Sequence, residues 1–180
     1  MQTTALAAYL VSAMSAWTPP QQHREGAATA TRRYESIAHD IATVVMDEKE
    51  ASVFAGENGR AQTALLLAAI ASFESSFRAD IDSGKVRGDH GVSWCMMQVQ
   101  VWDKTAEGWS GKDLVDDRSK CVTVALHRVR QSFEACRALP LVDRLSVYTS
   151  GRCRIEPQAE YRTWRAMRWF KDHPVAAEPT

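Results

Sequence analysis

Residues 60–73 read RAQTALLLAAIASF and carry few polar side chains. Alanine and leucine favour the α-helix, so the segment predicts a helix. A helix that is apolar around its whole circumference has no face for solvent and belongs in the centre of a domain. The other elements of this chain are therefore expected to pack around residues 60–73.

Glu74 follows directly at the end of this apolar run. A single glutamate at a helix end is most often a solvated surface residue. Removing an unpaired carboxylate from water is costly, so the most buried helix of a domain is an unusual place for one. The position favours a chemical role for Glu74.

The N-terminal part of the chain predicts two further helical segments. Residues 2–17 indicate a short helix, and residues 18–30 a polar connector. From residue 31 to about residue 54, apolar side chains recur at spacings of three and four, which predicts a helix with one buried stripe.

The C-terminal part predicts a lobe and three helices. Residues 78–112 lack a steady period and contain several glycines, which indicates an irregular lobe, with short strands at residues 92–101. Helices are expected at residues 117–137, 140–149 and 157–172. The predicted fold class is mainly α, in one domain.

Charge and hydropathy exclude several classes of protein. Lysine plus arginine equal aspartate plus glutamate at 22 each, and nucleic-acid-binding proteins usually carry a basic excess. No segment approaches the roughly 18–20 apolar residues of a membrane span. Residues 5–17 resemble a weak signal peptide, but no lysine or arginine precedes them, so a helix covering the core is the preferred interpretation.

The cysteines leave two readings open. Cys95, Cys121, Cys136 and Cys153 form no CxxC pair, and the histidines share no metal-like spacing, so no metal site is expected. Two disulfides, for which three pairings exist, and four buried free thiols are equally compatible with the residues alone.

Three short segments stand out in a fixed order. Residues 74–77 read ESSF at the end of the apolar run, and residues 91–98 read GVSWCMMQ in the irregular lobe. Residues 147–151 read VYTSG, and Tyr161 follows later. Each segment alone is weak evidence, but the order and spacing of the three are fairly specific.

These segments resemble those of the lytic transglycosylases and goose-type lysozymes over roughly residues 60–165. That family places its acid in a Glu-Ser pair that closes a buried helix, followed by a Gly-Leu-Met-Gln-like and a Tyr-Asn-Ala-Gly-like segment. Cys95 stands where the family usually has glycine, and Thr149 and Ser150 replace asparagine and alanine.

The resemblance implies a lysozyme-like catalytic domain over residues 31–175, preceded by an N-terminal helix and connector at residues 1–30. It implies cleavage of the MurNAc–GlcNAc β-1,4 bond of peptidoglycan by lytic transglycosylation, with Glu74 as the single catalytic acid and no cofactor. Such an acid must stay protonated near neutral pH, whereas free glutamate has a pKa of about 4.3. Apolar surroundings would raise that pKa.

Four further residues are implied to bind the substrate. Gln98 would hydrogen-bond the sugar, and Met97 would line the floor beneath it. The Tyr148 hydroxyl would steady the catalytic carboxyl, and Ser75 would contact substrate or backbone beside it. Glu74, Gln98 and Tyr148 are then expected to face one groove between the lobe and the C-terminal helices.

Alternatives remain for both mechanism and function. A hydrolase would need a second carboxylate, for which Asp80, Asp82, Asp89 and Asp103 are candidates. A non-catalytic glycan-binding or structural module of a phage tail or secretion apparatus is the rival function. The neutral charge favours an enzyme delivered to its periplasmic or extracellular substrate by such an assembly.

For a chain that works outside the cytosol, we expect the pairs Cys136–Cys153 and Cys95–Cys121. The first would join consecutive helices, and the second would hold the lobe covalently where the family relies on glycine.

Overall fold

The computed structural model describes residues 2–175 and is mainly helical, as predicted. Within this range eight α-helices and one two-stranded sheet are present. They are α1 (Thr3–Trp17), α2 (Ala27–Met46), α3 (Gly59–Ser75), α4 (Ala79–Asp82), β1 (Ser93–Trp94), β2 (Val99–Gln100), α5 (Gly111–Asp116), α6 (Arg118–Ala135), α7 (Ser146–Ser150) and α8 (Pro157–Asp172). No helix in the described range is both long and apolar enough to cross a membrane.

α3 is the central helix, as its apolar sequence predicts. Residues 64–71 are fully buried, and the helix packs against α1, α2, α6 and α8. It ends at Ser75 because Ser76 adopts a left-handed backbone conformation, with a φ of 49°. Glu74 therefore lies in the last turn, where the helix dipole disfavours a negative charge.

α2 has the predicted buried stripe but different limits. The buried stripe comprises Tyr34, Ile37, Ile41, Val44 and Val45. The helix begins at Ala27, inside the predicted connector, and ends at Met46, well before residue 54. The Asp47 carboxylate accepts a hydrogen bond from the Lys49 backbone N–H at 2.9 Å, and such a local turn competes with continued helix.

α1 forms as predicted and shares the core of the other helices. Leu6, Leu10 and Met14 are fully buried, and α1 packs against α2 and α3. The expected boundary between residues 30 and 31 falls inside α2. The N-terminal helix thus covers the central helix, as the preferred interpretation of residues 5–17 predicts.

The irregular lobe is also present and is built on strained backbone. β1 and β2 form an antiparallel hairpin in which Ser93 pairs with Gln100 and Trp94 with Val99. Residues with left-handed backbone in this lobe include Asp89, His90, Cys95 and Gln98. Each such residue other than glycine costs about 1–3 kcal/mol, so other contacts must hold the lobe in shape.

The helix predicted at residues 140–149 is interrupted. A 3₁₀ turn spans Leu141–Asp143, and α7 begins only at Ser146. The Ser132 hydroxyl, on α6, donates to the Arg144 carbonyl at 2.8 Å and accepts from the Tyr148 backbone N–H at 3.2 Å. It inserts between the two groups that a continuous helix would join directly, so the prediction was wrong there.

Both disulfides join the predicted partners. The Cα atoms of Cys95 and Cys121 are 6.4 Å apart, and this bond ties the lobe to α6. The Cα atoms of Cys136 and Cys153 are 5.3 Å apart, and this bond ties the end of α6 to the loop after α7. The alternative of free thiols is excluded, since each of the four cysteines is paired.

Replacing Cys136 and Cys153 together by serine is expected to lower the free energy of unfolding by about 3 kcal/mol, because the unfolded chain regains loop entropy. Urea unfolding of the oxidised wild type and of the variant measures the difference. The single variants serve as controls, since each already lacks the crosslink. An unchanged urea midpoint would show that the bond does not form.

Candidate active site

Glu74, Gln98 and Tyr148 line one cavity of about 710 Å³ between the lobe and α6, α7 and α8. Glu74 comes from the end of α3, Gln98 from the turn of the hairpin and Tyr148 from α7. The expected meeting of the three segments in one groove is therefore confirmed.

The Glu74 carboxyl is mostly withdrawn from solvent and forms an ion pair. Its Oε1 atom lies 2.7 Å from Nη2 of Arg162, and the two side chains are 22% and 8% exposed. Burial raises the pKa of Glu74; the charge and hydrogen bond of Arg162 oppose this, and the charge of Asp89 adds to it. The net direction is upward, which suits a group that must hold its proton.

Arg162 is a site residue that the sequence interpretation missed. Its Nη1 donates to the Gln158 carbonyl at 2.9 Å, and its guanidinium lies 5.0 Å from the centre of the Phe73 ring. The available signal was its place on α8, because it falls on the buried stripe with Ala159, Thr163 and Ala166. An arginine at such a position needs a partner, and Glu74 supplies it.

Asp89 is the second carboxylate that lines the cavity. Its Oδ2 accepts hydrogen bonds from the Ser93 hydroxyl at 2.6 Å and from the Gln100 amide at 3.0 Å. These two bonds hold the pKa of Asp89 below its usual range. One cavity thus contains a glutamic acid with a raised pKa and an aspartate with a lowered pKa, a pattern that separates acid and base roles.

The other three candidate aspartates lie elsewhere. Asp80 forms an ion pair with Arg78 at 2.6 Å, and Asp82 forms one with Arg118 at 2.6 Å. Asp103 is exposed in the loop after β2 and does not line the cavity. These three aspartates follow Glu74 closely in the sequence, yet they do not line its cavity.

Gln98 lines the cavity, but its amide also braces the lobe. Its Oε1 accepts from the Gly88 backbone N–H at 3.1 Å, and its Nε2 donates to the Cys95 carbonyl at 3.0 Å. A Cβ atom at Gly88 would lie only 2.3 Å from this Oε1, so any other residue there would displace the Gln98 amide. For a ligand in the cavity, Gln98 retains one N–H and one lone pair.

The Tyr148 hydroxyl is bonded to the Met97 backbone, and the Met97 side chain does not line the cavity. The Tyr148 hydroxyl donates to the Met97 carbonyl at 2.7 Å, and the Met97 side chain is fully buried in the core. The hydroxyl donor is therefore not available to the carboxyl, contrary to expectation. Burial and, secondarily, the charge of Glu74 raise the pKa of Tyr148, so the phenol stays protonated beside the acid.

Ser75 has a structural contact rather than a place in the cavity. Its hydroxyl donates to the Ala71 carbonyl at 2.8 Å and accepts from the Phe77 backbone N–H at 3.1 Å. The backbone alternative for this residue is thus correct, and Ser75 helps to turn the chain directly after Glu74. Within residues 2–175 no three histidine, cysteine or acidic side chains form a metal-binding group.

The chain matches no protein-family model, no curated protein and no solved structure.

Proposed function

We propose that the protein is a peptidoglycan glycosidase that cleaves the MurNAc–GlcNAc β-1,4 bond, with Glu74 as its general acid. The observation that carries the proposal is the desolvated Glu74 carboxyl, with its raised pKa, in a cavity lined by the three recognised segments. The volume of about 710 Å³ is adequate for a short stretch of glycan.

In the proposed reaction, protonated Glu74 donates its proton to the glycosidic oxygen as that bond breaks and an oxocarbenium-like sugar develops. Arg162 holds Oε1, which leaves Oε2 to face the substrate. The resulting carboxylate then takes the proton of the same sugar's 6-hydroxyl, whose oxygen closes on the anomeric carbon. The products are a 1,6-anhydro sugar and a new non-reducing end, and Glu74 is protonated again.

Hydrolysis by two carboxylates is the second candidate, and Asp89 favours it. Because the pKa of Asp89 is lowered and that of Glu74 is raised, there is a range of pH in which Asp89 is ionised and Glu74 carries its proton. An ionised aspartate could activate water on the opposite face of the sugar or attack the anomeric carbon. Digestion of purified sacculi followed by mass spectrometry separates the candidates, because anhydro ends are one water lighter than reducing ends.

Replacing Asp89 by asparagine distinguishes the two routes by product. For transglycosylation we expect less than a tenfold loss of rate and unchanged anhydro ends, because no step uses this carboxylate. For hydrolysis the loss would be about 100-fold or more, as for other positioned acid–base groups. Asp103→Asn, outside the cavity, is the matched control.

A non-catalytic glycan-binding or structural module remains the alternative function. It would bind sacculi without releasing fragments of either kind.

The two disulfides support a site of action outside the cytosol, such as the periplasm, because such bonds persist in oxidising compartments. The neutral charge supports delivery by a phage tail or injection machine.

A further inference from the structure

Arg128 is a cation in the Glu74 cavity without a carboxylate partner. It projects from α6, and its Nη2 donates to the Gln100 carbonyl at 2.9 Å. Among the residues from 2 to 175, no carboxylate oxygen lies within 4.0 Å of its guanidinium nitrogens. A guanidinium has five N–H donors, so most of those on Arg128 remain available.

The other charged groups of the cavity already have partners. Arg162 donates a hydrogen bond to Oε1 of Glu74, and Asp89 is held by the neutral donors Ser93 and Gln100. Burial lowers the pKa of Arg128, which reflects the cost of keeping this cation away from water. An anionic ligand group in the cavity would offset that cost.

We propose that Arg128 binds a carboxylate carried by the muramic acid unit and so selects peptidoglycan over neutral glycans built from GlcNAc alone. This inference rests on the proposed function. The two sugars differ at O3, where muramic acid carries a lactyl group. Its carboxylate is free in peptide-free strands, whereas in intact peptidoglycan the attached peptide provides the carboxylates.

Arginine suits this recognition because its planar donors match the two oxygens of a carboxylate. Arg128 and Glu74 line the same cavity, so a muramic acid whose glycosidic bond lies at Glu74 brings its O3 substituent into that cavity. The protein as a whole has no net charge to attract an anionic glycan. Selective binding of the acidic sugar must then come from a cation in the cavity.

The test measures binding of three disaccharides to the wild-type full chain by NMR titration. The ligands are GlcNAc-β-1,4-MurNAc with a free lactyl carboxylate, the same disaccharide carrying its peptide, and chitobiose. None contains the MurNAc–GlcNAc bond that the enzyme is proposed to cut. We expect the acidic ligands to bind about tenfold or more tightly than chitobiose, as for hydrogen bonds to a charged group.

Arg128→Gln should remove this preference by weakening the acidic ligands, and Arg128→Lys should retain part of it. Arg130→Gln is the matched control on the same helix, because Arg130 contacts Glu50 at 3.7 Å and lies outside the cavity. Higher salt should weaken the acidic ligands in the wild type but not chitobiose.

The outcomes separate this inference from the proposed function. Preference for the free lactyl form alone identifies the lactyl carboxylate as the group bound, and preference for the peptide form alone identifies the peptide carboxylates. Preference for both acidic ligands shows that Arg128 binds either kind of carboxylate. Equal binding of all three ligands, or an equal loss for all three in Arg128→Gln, would overturn the role of Arg128 and leave the glycosidase standing. Release of sacculus fragments by the wild type checks the proposed function independently.

Discussion

Replacing Glu74 by glutamine is expected to lower the rate of sacculus digestion by about 100- to 10,000-fold, because the amide has no proton to give. Release of soluble fragments from purified sacculi measures the rate. Glu160→Gln on α8 is the matched control, since Glu160 is exposed and outside the cavity. Retention of most of the activity by the Glu74 variant would refute the proposed acid.

The same variant is expected to keep its stability as the pH rises, whereas the wild type loses some. Because the folded-state pKa of Glu74 is raised, the unfolded chain releases this proton at lower pH than the folded chain does. Stability therefore falls as pH rises from the ordinary pKa of glutamate to the raised one. Glutamine resembles the protonated acid, so the melting temperature of the variant should show a smaller decline over this window.

Replacing Arg162 by methionine is expected to give the second largest loss, of about 10- to 100-fold in kcat/KM, since misplacement of a reacting group has effects of this size. The charge and the hydrogen bond of Arg162 both lower the pKa of Glu74. Their removal should move the alkaline limb of the pH–rate profile to higher pH, because Glu74 then keeps its proton further. A loss caused only by disturbed packing would leave that limb in place.

Arg162→Lys separates charge from geometry. It keeps the positive charge near Glu74 but cannot bond the Gln158 carbonyl and Oε1 with one planar group. We expect the alkaline limb to remain near its wild-type position while the rate recovers only in part. Arg168→Met is the control on the same helix, because Arg168 pairs with Asp172 on the exposed side.

Local pattern predicted much of the fold. The apolar run of α3 and the limits of α8 were correct, because burial of a helix and a proline at its start are encoded in neighbouring residues. The end of α2 and the interruption before α7 were not predicted correctly. Both depend on side chains that compete for backbone hydrogen bonds, and for α7 that side chain is Ser132, from another helix.

Sequence alone was enough to single out Glu74 and the segments around it, and it predicted the two cysteine pairs for a chain that works outside the cytosol. Which charges meet at Glu74 depended on the tertiary structure. Arg162 lies 88 residues from Glu74 along the chain. Asp89 was one of four equivalent candidate aspartates, and it is the one of the four that lines the cavity. Two charged side chains interact when they are close in space, whatever their separation along the chain. Helix periodicity predicts which side chains are buried, but it does not predict which distant side chain lies across the cavity from them.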